Sequence, residues 1–276
     1  MKIAVCAPAR SISPAGAARV AAFAALYYPQ VELVIDPQSF LVEGHFAGND
    51  RVRAETFLKY ANDPSVNAIW FGRGGYGSNR ILREVMPELG AAARDKSYLG
   101  FSDMGFLLGA LYARRIGKPV HGPMASNVTE RSSGIPVGRA LGWLVDQDRR
   151  VLEPTLDGRP AACFNLVILC ALLGTPWVPD LTDHILYLEE VGESYYRIDR
   201  LLFQMANATQ LKGIAGVRLG SVTDVPADEG AEQFGETLDQ MMERWCRDMG
   251  VPYLGRARVG HDADNMVVPF GVAGGL

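Results

Sequence analysis

The feature that most constrains this chain is a repeated unit: a short apolar segment, a break at small residues, then a helix-forming stretch. Residues 2–7, 31–35, 67–71 and 97–101 are each too short for a helix and apolar enough to be buried on both faces. Helical stretches alternate with them, over residues 15–27, over 51–62 with Asp50 as a cap, from Ser78 to Val85, and over 106–112. This alternation predicts an open parallel sheet covered by helices on both faces. Residues 118–121 read as a further short strand. Binding sites in such sheets lie beyond the carboxyl ends of the strands. Three conspicuous pieces fall there: the glycine loop from Gly72 to Ser78, Ser102 and His121.

The second half changes character. Residues 146–160 carry Asp-Gln-Asp-Arg-Arg and the turn formers Glu153-Pro154 and Asp157-Gly158-Arg159-Pro160, which read as a crossover. The expected organisation is therefore an N-terminal α/β domain over 1–145, a linker over 146–164, and a smaller second domain over 165–276. That domain contains an apolar helix (165–173), a strand ending in Glu189-Glu190, a helix over 195–205, a strand at 213–219, a long amphipathic helix at 232–249 and a strand at 253–259. Gly271 to Leu276 reads as a loose tail.

Bulk properties exclude several classes. The net charge of −4 leaves no basic footprint for nucleic acid. No apolar run approaches the roughly 20 residues that span a bilayer, and the N-terminal run stops at Pro8, as a first core strand would. Cys6, Cys163, Cys170 and Cys246 are scattered without a C-x-x-C pair, so neither a zinc site nor a disulfide framework is expected, and the compartment is a reducing cytoplasm.

Ser102 follows a strand and precedes the apolar helix at 106–112. Backbone N–H groups converge at such a place and stabilise developing negative charge, which suits a nucleophile. The same place suits an ordinary helix N-cap. A nucleophile needs a base, and the base an orienting acid. Of the four histidines, His45 and His184 sit in polar turns, and His121 precedes Gly122-Pro123 where it can line the cleft. His261 follows a strand between Gly260 and Asp262. Glu189 and Glu190 end another strand, and alternation lets only one of them face a site. The order Ser, Glu, His is that of the α/β-hydrolases, yet Met104 stands where their G-x-S-x-G elbow has its second glycine. Gly72-x-Gly74-x-x-Gly77 matches the dinucleotide fingerprint by letter, but it follows the third strand rather than the first. A loop of small residues beside a serine is better suited to backbone donation to an oxyanion.

Several motifs together resemble one family: Arg73-Gly74-Gly75-Tyr76-Gly77, Gly100-Phe101-Ser102-Asp103, His121-Gly122-Pro123, Leu172-Leu173-Gly174-Thr175-Pro176, Leu188-Glu189-Glu190-Val191-Gly192-Glu193, Tyr196-Arg197-Ile198-Asp199-Arg200, and Gly260-His261 with Asn265 and Pro269. They look like the LD-carboxypeptidases, serine peptidases that also include the microcin C immunity peptidases. The resemblance implies a Rossmann-like N-terminal domain, a smaller β-rich α+β C-terminal domain, a homodimer and no cofactor or metal. It implies a triad of Ser102, Glu189 and His261, with Glu189 rather than Glu190 as the acid. The backbone N–H groups of Gly75 and Asp103 would hold the oxyanion. Arg73, Gly74, Tyr76 and His121 are the candidate substrate contacts, Arg73 for a terminal carboxylate. The substrate implied is a murein tetrapeptide losing its terminal D-alanine during cell-wall recycling; no nucleic acid or membrane partner is implied. Relatives often carry Gly-Gly-Asn at Cys163-Phe164-Asn165 and Gly-His-Gly at Gly260-His261-Asp262, and the larger side chains here are expected to crowd the cleft. Two other readings stay open: the same triad acting on a peptidyl or aminoacyl nucleotide, and a small-molecule binding protein in which Ser102 is only a cap.

Overall fold

Two sheets meet at a shared apolar cluster. The computed structural model describes residues 1–127, 134–226 and 231–272. Strands β1 (Lys2–Cys6), β2 (Glu32–Ile35), β3 (Ala68–Phe71), β4 (Ser97–Gly100) and β5 (Lys118–His121) form a parallel sheet. Helices α1 (Pro14–Tyr27), α2 (Asp50–Ala61), α3 (Ser78–Val85), α4 (Gly105–Ala113) and α5 (Ile135–Asp146) connect or flank these strands. The second sheet has β6 (Pro160–Asn165), β7 (Ile185–Val191), β8 (Gly216–Thr223) and β9 (Tyr253–Arg256), again parallel. It is accompanied by α6 (Leu166–Leu172), α7 (Tyr195–Asn207), α8 (Ala231–Phe234) and α9 (Leu238–Met249).

The last two strands tie the sheets together. β10 (Val268–Pro269) pairs antiparallel with β5 of the first sheet, and β11 (Gly271–Val272) pairs antiparallel with β6 of the second. The strand orders are therefore β10-β5-β4-β3-β1-β2 and β11-β6-β7-β8-β9. Two expectations change here. The linker stretch 146–164 already contains most of β6, and the loose tail begins with a paired strand; residues 273–276 lie outside the described residues.

Helix α4 sits between the halves. It is apolar on every side, from Phe106 and Leu107 to Leu111, as a helix buried all round must be. Gly105 and Gly109, one turn apart, face α6: a Cβ on Gly105 would lie 3.0 Å from Ile168 Cγ2, and one on Gly109 3.0 Å from Leu172 Cδ1. Close approach of α4 and α6 needs both glycines, and it locks the helix that begins just after Ser102. Phe164 packs into the same seam, with its ring 5.2 Å from that of Phe270. Phe164 and Cys163 are each 1% exposed. They fill the core and do not crowd a cleft, because β6 is covered on both faces.

Local signals explain most boundaries. Ser13 caps α1 by accepting from Gly16 N, and Thr237 with Gln240 forms a capping box on α9. The cap of α2 is Asn49, which accepts from Val52 N, and Asp50 is instead the first helical residue, where its charge suits the helix dipole.

Candidate active site

Ser102 does not cap a helix. It sits in a short turn (Ser102–Met104) between β4 and α4, with φ 59, and neither that turn nor α4 has a side-chain cap. A non-glycine residue in the left-handed region costs on the order of 1 kcal/mol or more and concentrates at functional sites. Here it points the hydroxyl out of the sheet's end, where Ser102 Oγ lies 3.1 Å from His261 Nε2.

His261 arrives from the other half. Its Nδ1 lies 2.6 Å from Glu189 Oε2, at the carboxyl end of β7, and Glu189 is fully buried. An Nδ1 donor to that carboxylate leaves Nε2 free to accept from the serine hydroxyl. Burial works against a charged His261, but the Glu189 hydrogen bond and the charges of Glu189, Glu190 and Asp224 outweigh it, so its pKa is raised. A raised pKa makes it a stronger base.

Strand alternation separates the two acids. Glu190 turns to the opposite face, where Oε1 accepts from Asn165 Nδ2 and Val191 N and Oε2 from Val167 N. Burial pushes its carboxyl up to about 7, those donors pulling the other way. It supports β6 and α6 and makes no contact with His261. A bulge makes room for the histidine: β7 and β8 lose register between Leu188 and Glu190, and Ser221 N donates to Val259 O at 2.8 Å. Gly260 then crosses above β7 with φ 131; a Cβ there would lie 2.1 Å from Ser221 Oγ and 3.1 Å from Glu189 Cβ.

The glycine loop closes the other side. A Cβ on Gly74 would lie 3.0 Å from Ser102 Cβ and 3.1 Å from its Oγ, so only glycine lets the loop lie against the hydroxyl. Asp103 fastens that loop: its carboxylate accepts from Gly77 N (3.2 Å) and Ser78 N (2.9 Å), and Ser78 Oγ donates back to Asp103 O (2.6 Å). Burial raises the Asp103 pKa against these donors. Arg53, 1% exposed, donates to Pro8 O, Gly48 O and Gly77 O and pairs with Asp50. It holds the loop after β1 against the glycine loop. Sequence reasoning missed Arg53 and Ser78. The signal for Ser78 was its place behind Gly77 at a helix start; Arg53 gave none, since an arginine in an amphipathic helix reads as surface.

The candidate substrate contacts divide. Tyr76 is 46% exposed, with its ring 6.1 Å from that of His45, and Arg73 is exposed too. His121 is not at the cleft surface, being 1% exposed. Its Nε2 donates to Asn265 Oδ1 at 2.9 Å, and that oxygen also accepts from Gly260 N at 3.1 Å. Burial lowers its pKa to about 4, which keeps the ring neutral. His121 thus reaches the site through Asn265 and the Gly260 backbone rather than by touching a ligand. Asp262 is exposed and accepts from Asp264 N within its own turn. His184 is taken up structurally, by Thr182 O and the Tyr112 hydroxyl.

A serine, an imidazole and a carboxylate in this geometry, beside a backbone loop, can perform nucleophilic acyl transfer. No cluster of metal-binding side chains occurs among the described residues, and no helix there is long and apolar enough to cross a membrane.

The profile of the LD-carboxypeptidase N-terminal domain matches residues 3–122, and that of the LD-carboxypeptidase C-terminal domain matches residues 162–276. The chain belongs to the LD-carboxypeptidase family. A putative carboxypeptidase of Synechocystis is 32% identical over 235 residues, covering 83% of this chain and 75% of the relative. The murein tetrapeptide carboxypeptidase of Pseudomonas aeruginosa is 28% identical over 249 residues, covering 82% and 78%. Among solved structures, the muramoyltetrapeptide carboxypeptidase of Oxalobacter formigenes superposes with a TM-score of 0.81 at 22% identity, over 98% of this chain and 93% of that one. An MccF-like protein of Bacillus anthracis superposes at 0.77 and 22%, over 98% and 91%. At those identities the structural likeness speaks for the two-domain fold, which both branches of LD-carboxypeptidases share.

Proposed function

We propose that this LD-carboxypeptidase is a serine carboxypeptidase that hydrolyses an L,D-peptide bond and releases the terminal D-alanine of a murein tetrapeptide. The observation that carries the reading is the Ser102–His261–Glu189 chain of contacts at 3.1 and 2.6 Å, assembled from strand ends of both sheets. His261 Nε2 takes the Ser102 proton as Oγ attacks the amide carbonyl. Glu189 keeps Nδ1 protonated and stabilises the imidazolium. The tetrahedral oxyanion is held by the backbone N–H groups of Gly75 and Asp103. His261 then gives the proton to the departing amine of D-alanine, leaving an ester on Ser102. Water, deprotonated by the same ring, hydrolyses that ester and regenerates the hydroxyl.

The murein substrate is supported by the Pseudomonas relative, a murein tetrapeptide carboxypeptidase 28% identical to this chain. The cleavage of a peptidyl or aminoacyl nucleotide remains the second reading, supported by the MccF-like neighbour's fold. A substrate panel separates them: a tetrapeptide ending in D-alanine, its all-L stereoisomer, and an aminoacyl phosphoramidate of adenosine, each followed by mass spectrometry. Loss of alanine from the D-terminated peptide alone supports the carboxypeptidase. Turnover of the adenosine conjugate alone overturns it.

A further inference from the structure

We propose that Arg10 and Arg73 together form the anion subsite of this cleft and bind the terminal carboxylate of the leaving amino acid. The inference rests on the peptidase reading above and deepens it. Arg10 leaves the carboxyl end of β1 and lays its stem across the glycine loop: a Cβ on Gly75 would lie 2.3 Å from Arg10 Cδ and 2.6 Å from its Cγ. The preceding loop residue, Gly74, is the one that abuts Ser102 Oγ. Arg73 precedes it, and its Nη1 donates to Ser11 O at 3.3 Å, so its guanidinium leans towards the Arg10 segment.

Two guanidiniums brought together repel each other, and a structure normally relieves this with a carboxylate. None is supplied here: neither Arg10 nor Arg73 makes an ion pair with any described residue. The other arginines of this region are satisfied, Arg53 and Arg80 both by Asp50. Burial and the neighbouring charge of Arg10 act in the same direction on Arg73, lowering its pKa. The missing counter-charge is therefore left for a ligand.

The support for this pair is rigid. Ala7 exchanges hydrogen bonds with the Gln38 amide (3.1 and 2.8 Å), Pro8 O is held by Arg53, and Ala9 O accepts from Ala47 N at 2.9 Å. Arg10 thus projects from a pinned backbone, and preorganisation of this kind is what makes a charged contact selective. In the leaving residue the carboxylate stands two bonds from the scissile nitrogen, so it must bind within one residue's reach of the nucleophile. The pair brackets the residue that touches the nucleophile: Arg73 precedes Gly74 in the chain, and the Arg10 stem lies over Gly75, which follows it. Arginine rather than lysine fits, because a planar fork meets a carboxylate in two parallel hydrogen bonds. A phosphate carries the same chemistry, so the test separates the two.

The test uses the full chain with Ser102→Ala, which binds without turnover, and measures calorimetric affinity for three ligands. These are a tetrapeptide ending in D-alanine, the same peptide as its carboxamide, and an aminoacyl phosphoramidate of adenosine. The free carboxylate is expected to bind at least tenfold more tightly than the carboxamide, and Arg10→Ala or Arg73→Ala to bring the two within twofold without changing carboxamide affinity. In enzyme with Ser102 intact, the same arginine substitutions raise KM for the carboxylate peptide at least tenfold and leave kcat within about threefold, and Arg10→Lys recovers part of the loss. The carboxylate assignment is overturned if the arginine variants keep the parental preference. It is equally overturned if only the phosphoramidate depends on them. A wild-type enzyme that binds the carboxylate selectively but cleaves no L,D-peptide refutes the peptidase reading and leaves the subsite standing.

Discussion

Gly260→Ala tests how tightly the loop that carries His261 is held. The added methyl would lie 2.1 Å from Ser221 Oγ and 3.1 Å from Glu189 Cβ, with the backbone at φ 131. Two costs combine. Overpacking a filled interior typically costs about 1–3 kcal/mol. Holding an L-residue in a glycine-favoured region costs about 1–3 kcal/mol more. The expected loss is about 2–6 kcal/mol, read as a shift in urea midpoint followed by far-UV circular dichroism. Ser221→Ala separates the parts. The Ser221 hydroxyl is buried with no hydrogen-bond partner among the described residues, so removing it alone costs little. In the double variant the nearest Ser221 atom becomes Cβ at 3.3 Å, and most of the overpacking share of the loss is recovered, while the 3.1 Å approach to Glu189 Cβ and the backbone share stay. Activity falls further than stability, since the clash pushes on both His261's neighbour and the Glu189 stem, and a 1 Å misplacement costs about 10²-fold in rate. A single variant within 0.5 kcal/mol of wild type, taken as about the noise of surface changes, would refute this account of the loop; so would a double variant that recovers nothing.

Three further outcomes follow from the same geometry. His261 must be neutral to accept the Ser102 proton and its pKa is raised, so kcat/KM falls on the acid side of a pKa above 6.5; Glu189→Gln removes the largest raising cause and moves that limb to lower pH while lowering the plateau, as a pH–rate profile shows. Asp103→Ala frees Gly77 N and Ser78 N, costing about 2–4 kcal/mol in urea unfolding and about 10²–10³ in kcat, the cost of a lost oxyanion donor. His121, held neutral with a pKa of about 4, binds fewer protons than its unfolded form once the pH drops below about 6.5. Its share of stability is therefore complete above that value and lost towards pH 4, on the order of 1.4 kcal/mol per pH unit, and His121→Gln flattens that slope in melts taken from pH 7 to 4.

Much of the first sheet was legible because each strand is a short apolar run closed within two residues by proline, glycine or serine, a pattern set by local sequence. The return of the chain was not: Val268–Pro269 joins the first sheet with two residues paired to β5, and so short a strand carries no periodicity. β6 was hidden in the crossover because Pro160 and its turn formers mask the apolar run from Ala161 to Phe164. Ser102, Glu189 and His261 could be placed at strand ends by reading alternation, but nothing local says that ends of two different sheets converge. His121 misled for the same reason. A histidine at a strand end looks open to the cleft until the later segment carrying Asn265 covers it. The glycines at 74 and 260 were visible as letters, whereas their work lies in what a Cβ would strike.

In the proposed reaction Ser102 attacks an L,D-peptide with His261 as its base. Timed mass spectrometry of a D-alanine-terminated tetrapeptide with wild type, Ser102→Ala and His261→Ala, all with matched melting curves, tests it most directly. Loss of one alanine is expected with wild type, and a residual rate at least about 10⁴-fold lower in either variant, as for other triads. Equal loss with Ser102→Ala, or none with folded wild type, would contradict it.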